Sequence, residues 1–106
     1  MPEQLDTYEA YQAKVLNAPA DKLVVVDFWA TWCGPCINFA PKFEAMAGEM
    51  PDVCFFKIDV DKNEEATQEA DISCMPTFKF YKGGKIVATV EGAAETEVRN
   101  KIAANK

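Results

Sequence analysis

Apolar positions along the chain fall into two patterns, short unbroken runs and repeats of every third or fourth residue. Leu23-Val24-Val25-Val26-Asp27-Phe28-Trp29 scarcely alternates and is rich in β-branched and aromatic side chains. That pattern predicts a central strand covered on both faces, with Asp27 as its one polar interruption. From Cys33 to about Met50, Cys36, Ala40, Phe43, Ala47 and Met50 recur at helical spacing, with Phe39 and Met46 beside them. These predict a long amphipathic helix. Pro41 lies inside it and cannot donate to the Ile37 carbonyl, so a kink is expected about one turn past Cys36. Val53 to Val60 reads as a second central strand and Glu64 to Ala70 as a short acidic helix.

The two ends complete the pattern. Leu5, Tyr8, Tyr11, Val15 and Leu16 predict a first helix between Gln4 and Asn17, with room for a short strand before it and Pro19 closing it. Thr77–Tyr81 and Ile86–Glu91 read as antiparallel strands joined through Lys82-Gly83-Gly84-Lys85, where the glycines accommodate a tight hairpin. Val98 and Ile102 give Glu95–Ala104 one apolar face and a helical reading. Strand, helix and strand from Leu23 to Val60 form a crossover between parallel strands, and the hairpin adds antiparallel ones. The expected fold is a three-layer α/β/α sandwich around a mixed sheet of four to five strands with about four helices, one domain over residues 1–106. In such sheets, sites lie beyond the carboxyl ends of parallel strands, where Trp29 to Cys36 fall.

Composition narrows the functional classes. Eleven basic and seventeen acidic residues give a net charge of −6, which disfavours nucleic acid or an anionic membrane as the main partner. Met1-Pro2-Glu3-Gln4 has neither a basic region nor an apolar core, and the run Leu23–Val26 is too short to span a bilayer. Four cysteines with only one pair at a recognisable spacing fit a reducing, cytoplasmic setting better than a disulfide framework. The absence of histidine removes Cys-His nucleophilic catalysis and every histidine-bearing metal site.

The chemistry concentrates in Trp32-Cys33-Gly34-Pro35-Cys36. A bridge between thiols two residues apart closes so small a loop that it adds little to stability. Such a pair is better suited to opening and closing than to holding a domain together. At the mouth of the predicted helix the Cys33 sulfur meets unpaired N–H groups; Pro35 has none, which leaves the Cys36 amide as the direct donor. The helix terminus contributes about 0.3–2 kcal/mol, enough to lower a thiol pKa by about one unit. The same spacing is also half of a tetrathiolate zinc site, but Cys54 and Cys74 are isolated in sequence and do not supply the other half. Asp27, flanked by Val26 and Phe28, is expected to be desolvated and its pKa raised; it reads either as a proton acceptor or as a structural partner of Lys57 on the neighbouring strand.

Val26-Asp27-Phe28-Trp29-Ala30-Thr31-Trp32-Cys33-Gly34-Pro35-Cys36, together with Met75-Pro76-Thr77-Phe78, resembles the thioredoxin family over nearly the whole chain. The resemblance implies a protein-disulfide reductase with Cys33 as nucleophile, Cys36 as buried resolving thiol and Asp27 as base. It also implies a cis Met75-Pro76 bond facing the pair, and a main chain at Met75 that receives an extended client like an added strand. Trp32, Gly34, Pro35, Met75 and Gly92 then form the docking surface, although Gly92 is equally readable as an end-of-strand turn. The redox-active disulfide Cys33–Cys36 is the only redox group expected, with no bound cofactor or metal. Electrons are expected from NADPH through a flavin-dependent thioredoxin reductase, and the expected clients are oxidised proteins such as peroxiredoxins. Gly34-Pro35 favours the reducing side over disulfide-forming relatives, which commonly carry histidine between the cysteines. A redox-responsive module that holds partners in the same groove without turnover is the alternative.

Two positions depart from the common pattern or stand outside it. Ile37 occupies a place where many thioredoxins carry a basic residue, which bears on reductase and client preference. Cys74 precedes Met75-Pro76, where thioredoxins of animals often have a cysteine; it reads either as an apolar filler or as an exposed thiol able to link two otherwise monomeric chains. Cys54, between Val53 and Phe55, reads as core, and Trp29 as packing beneath the motif.

Overall fold

The computed structural model describes residues 2–106. The strands are β1 (Glu3–Gln4), β2 (Val24–Trp29), β3 (Cys54–Asp59), β4 (Thr77–Lys82) and β5 (Lys85–Glu91). The helices are α1 (Tyr8–Tyr11), which runs on as a π-helical segment over Gln12–Leu16, then α2 (Gly34–Glu49), α3 (Glu64–Glu69) and α4 (Glu95–Asn105). One mixed sheet has the order β1-β3-β2-β4-β5. β2 pairs in parallel with β3, and β4 is antiparallel to β2 and to β5.

The apolar runs produce this order because β2 is buried on both sides. Val24, Val26 and Phe28 join Tyr11, Val15, Ala66, Ala70 and Ile58 in one apolar cluster, under α1 and α3. Leu23 and Val25 join Phe39, Phe43, Met46, Phe78, Val98 and Ile102 in the other, under α2 and α4. Successive strand residues face opposite sides, so one continuous apolar run serves two cores and three layers result. Phe43 packs edge-on to Phe55 with ring centroids 5.4 Å apart, and it also meets Phe78. These contacts fix α2 over the strands that carry the site.

The N-terminal reading needs correction. Glu3–Gln4 pairs in parallel with Phe56–Lys57 as the edge strand β1, and the helix begins only at Tyr8. Thr7 caps it, its Oγ1 accepting from the Ala10 N–H at 3.1 Å. After Tyr11 the hydrogen bonds lengthen by one residue, as in Asn17 N–H to the Gln12 carbonyl at 2.8 Å. The helix α2 runs unbroken from Gly34 to Glu49 with Pro41 inside it. At the hairpin, Gly83 and Gly84 have φ of 61° and 76°, the left-handed geometry of a two-residue turn. Along β5 the register steps from Phe80↔Ala88 to Tyr81↔Ile86, so Val87 is an extra residue in an exposed edge strand.

Candidate active site

The turn from Ala30 to Cys33 carries the chain from the carboxyl end of β2 onto α2, with the Cys33 N–H donating to the Ala30 carbonyl at 3.2 Å. Cys33 is the N-cap of α2, in extended backbone, and Gly34 and Pro35 occupy the first helical positions. Proline fits there because its missing N–H has no partner to lose. The Cys36 N–H donates to Cys33 Sγ at 3.2 Å, the donor expected once Pro35 supplies none. Cys33 and Cys36 are joined as a disulfide with their Cα atoms 5.3 Å apart. Cys36 is the more buried of the two, 3% exposed against 7% for Cys33.

Two large apolar side chains beside the pair are exposed. Trp32 is 66% exposed and Ile37 49% exposed, on either side of the disulfide in sequence. Trp32 is nevertheless held in place, its Nε1–H donating to Asp61 Oδ2 at 2.9 Å. Asp61 is in turn positioned by its own N–H, which donates to the buried Asp59 Oδ1 at 2.9 Å. The sequence reading missed Asp61, because no local pattern links residues so far apart.

At the same end of the sheet, where Thr77 pairs with Phe28, the Met75-Pro76 bond is cis. Pro76 is buried and immediately precedes β4, which begins at Thr77 rather than at the proline itself. Gly92, with φ 93°, donates its N–H to the Pro76 carbonyl at 2.8 Å, and a Cβ there would meet nothing within 4 Å. Gly92 is thus both the end-of-strand turn and an open place beside the proline. Among the described residues the Met75 main chain takes no part in the sheet ladders or the turn hydrogen bonds. Cys74 is exposed, its Sγ 3.7 Å from Thr77 Oγ1, and that hydroxyl donates to the Cys74 carbonyl at 2.6 Å. Cys54 is half-buried at the margin of the α1 and α3 core.

Asp27 lies on the face of β2 that carries Leu23 and Val25, the face covered by α2, and is only 1% exposed. Its Oδ1 has no hydrogen-bond partner among the described residues. Burial pushes its pKa up to about 7, and the Lys57 charge partly opposes the shift. Lys57 is its register partner on β3, but the two form no ion pair. The Lys57 ammonium instead sits over the Trp29 ring, 4.6 Å from its centroid, and Trp29 Nε1–H donates to Gln4 Oε1 at 3.2 Å. The direct Asp27–Lys57 pair is therefore corrected to an interaction at a distance, with Trp29 holding the cation aside. Among the described residues no three Cys, Asp or Glu side chains cluster as a metal site requires.

Comparison with known proteins agrees with this geometry. The family model described as Thioredoxin matches residues 3–104. Thioredoxin of Geodia cydonium is 53% identical over 94 residues, 88% of this chain and 89% of that protein. Thioredoxin-2 of Saccharomyces cerevisiae is 47% identical over 105 residues, 99% of each chain. The X-ray structure of Fasciola hepatica thioredoxin superposes with a TM-score of 0.94 at 47% identity, covering 98% of this chain and 99% of that one. A cysteine pair that closes at a helix mouth, in a sheet of this order and on a chain this similar, has one consistent reading: the chain belongs to the thioredoxin family and is a protein-disulfide reductase.

Proposed function

We propose that Cys33 is the attacking thiolate, Cys36 the resolving thiol and Asp27 the proton acceptor, in one domain spanning residues 1–106. The observation that carries the assignment is the Cys36 N–H on Cys33 Sγ at the N-cap of α2, with Cys36 buried more deeply. A donor and the positive end of a helix favour the charged form of Cys33, whereas burial favours neutral Cys36. In the reduced protein, Cys33 thiolate attacks one sulfur of a client disulfide and expels the other as a client thiolate, leaving a mixed disulfide. Cys36 then gives its proton to Asp27, attacks Cys33 Sγ and expels the second client thiolate. Two electrons pass from the dithiol to the client, and the Cys33–Cys36 disulfide remains.

Asp27 suits its part because a pKa near 7 leaves it able to take and return a proton at neutral pH. Trp32, Gly34, Pro35, Met75 and Gly92 form the docking rim, with Pro76 facing the disulfide and the unpaired Met75 main chain receiving an extended client segment. Family membership supports recycling by a thioredoxin reductase using NADPH, and clients that include oxidised peroxiredoxins. Free thiols at Cys54 and Cys74 accord with work in a reducing cytoplasm, where the chain acts as a monomer.

Insulin reduction by the dithiothreitol-reduced protein tests the assignment. Cys33→Ser is expected to abolish turnover, and Cys36→Ser to accumulate a covalent client adduct that dithiothreitol releases. An adduct formed by Cys33→Ser and not by Cys36→Ser would reverse the roles. Oxidation of NADPH in the presence of a thioredoxin reductase checks the recycling step.

A further inference from the structure

A cleft of about 280 Å³ opens beside Met75, lined by Val60, Glu64, Thr67, Gln68, Ile72 and Ser73. It adjoins the docking rim on two sides. Met75 belongs to both, and Val60 lies between Asp59 and Asp61, the residues that hold Trp32 in place. Its chemistry is uneven. Val60, Ile72 and Met75 give it an apolar side, Thr67, Gln68 and Ser73 offer neutral polar atoms, and Glu64 is its one charged residue.

Glu64 is exposed at the first position of α3 and forms no ion pair among the described residues. No lysine or arginine lines the cleft to neutralise it. An apolar wall leading to a single unpaired carboxylate matches a long side chain with a methylene stem and a cationic end. An acidic client side chain there meets Glu64 with no compensating cation.

We propose that Glu64 makes this cleft a charge-selective client subsite, which receives a lysine or arginine lying a few residues from the client's disulfide while Cys33 attacks it. The inference rests on the reductase reading above and adds which clients it favours. Selection operates through attraction of the basic side chain and rejection of the acidic one. A single partly exposed pair of this kind changes rates about two- to five-fold.

The test uses synthetic peptides with one intramolecular disulfide, identical except for Lys or Glu placed two, three or four residues from a cysteine. The readout is the Lys-to-Glu ratio of reduction rates within each protein variant, which is independent of that variant's absolute rate. Expected is a wild-type ratio of about two to five at one or more positions, falling as salt rises. Glu64→Gln is expected to bring the ratio close to one, and Glu64→Lys to invert it. Glu65→Gln, which removes the same charge next door, separates the subsite from attraction by the net charge of −6 and is expected to keep the wild-type ratio. A wild-type ratio of one at every position, or a ratio that Glu64→Gln and Glu65→Gln lower equally, overturns the subsite. In either case normal insulin reduction by the wild type leaves the reductase reading standing. Failure of the wild type to reduce both insulin and the peptides overturns both.

Discussion

At the scale of single residues, Asp27 sets the pH behaviour of the molecule. Its carboxyl titrates near 7 in the folded chain, against a reference near 3.8. Between those values the unfolded chain has lost a proton that the folded chain still holds, so stability falls as pH rises through this window. The cost of ionising it is fully present above pH 7 and amounts to about 3–5 kcal/mol. Asp27→Asn is therefore expected to gain stability relative to the wild type as pH rises from 4 to 8, and urea denaturation at several pH values measures the gain. A stability difference that does not change with pH would refute the assigned titration. The same substitution is expected to slow release of the mixed disulfide at neutral pH, followed by stopped-flow fluorescence; unchanged kinetics would remove Asp27 from the proton path. Both effects trace to a residue that the sequence already marked as the polar interruption in an apolar strand. The position of Lys57 was not legible in the same way, because strand adjacency places two charges side by side but does not say that an aromatic ring captures one of them.

Among the elements, those with a pattern of their own were readable whatever their length, and the start of the chain was not. β2 and α2 carry their own patterns, an apolar run and a three-to-four repeat, and they form where those patterns lie. β1 has two residues and no periodicity of its own; it exists because β3 offers an edge to pair with. The Thr7 cap was a visible signal for the true start of α1, since a threonine before a helical run is a common N-cap. Asn63 shows how much can hang on one such position. It is buried, its Oδ1 caps α3 by accepting from the Ala66 N–H at 3.3 Å, and its Nδ2 donates to the carbonyls of Leu5 and Thr7 at 3.0 and 2.9 Å. One side chain thus joins the start of α3 to the segment between β1 and α1. Asn63→Ala is expected to cost about 2–4 kcal/mol in chemical denaturation, more than a lone cap is worth, because the buried Leu5 carbonyl and the partly buried Thr7 carbonyl also lose their donor. Gly84 is a second such position, since a Cβ there would lie 2.6 Å from the Leu16 carbonyl oxygen. Gly84→Ala is expected to lower Tm by several degrees, whereas Gly83→Asn, with open space around it and a residue type that accepts positive φ, is expected to lower it less.

At the scale of the whole molecule, the sheet brings residues 27, 32–36, 74–76 and 92 to one end, and the order of the motifs in sequence had already suggested that convergence. What sequence could not supply was the polar link between distant segments, Trp32 with Asp61, because that bond depends on how two loops meet. The exposed Cys74 thiol stands one residue from the docking rim, so a disulfide between two chains at this position would set their reactive faces against each other. Peroxide treatment is expected to give a dimer band on non-reducing electrophoresis and a parallel loss of insulin reduction, both reversed by dithiothreitol. A band that persists in Cys74→Ser would assign the link to another thiol.

The extra residue at Val87 governs what happens on the opposite side of the sheet from β1. Ile86 and Val87 are apolar, exposed and adjacent on an edge strand, the ingredients of a surface that templates other strands. A straight strand laid along β5 would find its donors and acceptors out of step after a few rungs, because the backbone there has one residue more than its partner. The irregularity works as a broken tooth in a zipper. Such a mismatch disfavours sheet growth from copy to copy, and it adds to the mutual repulsion of molecules that each carry a net charge of −6.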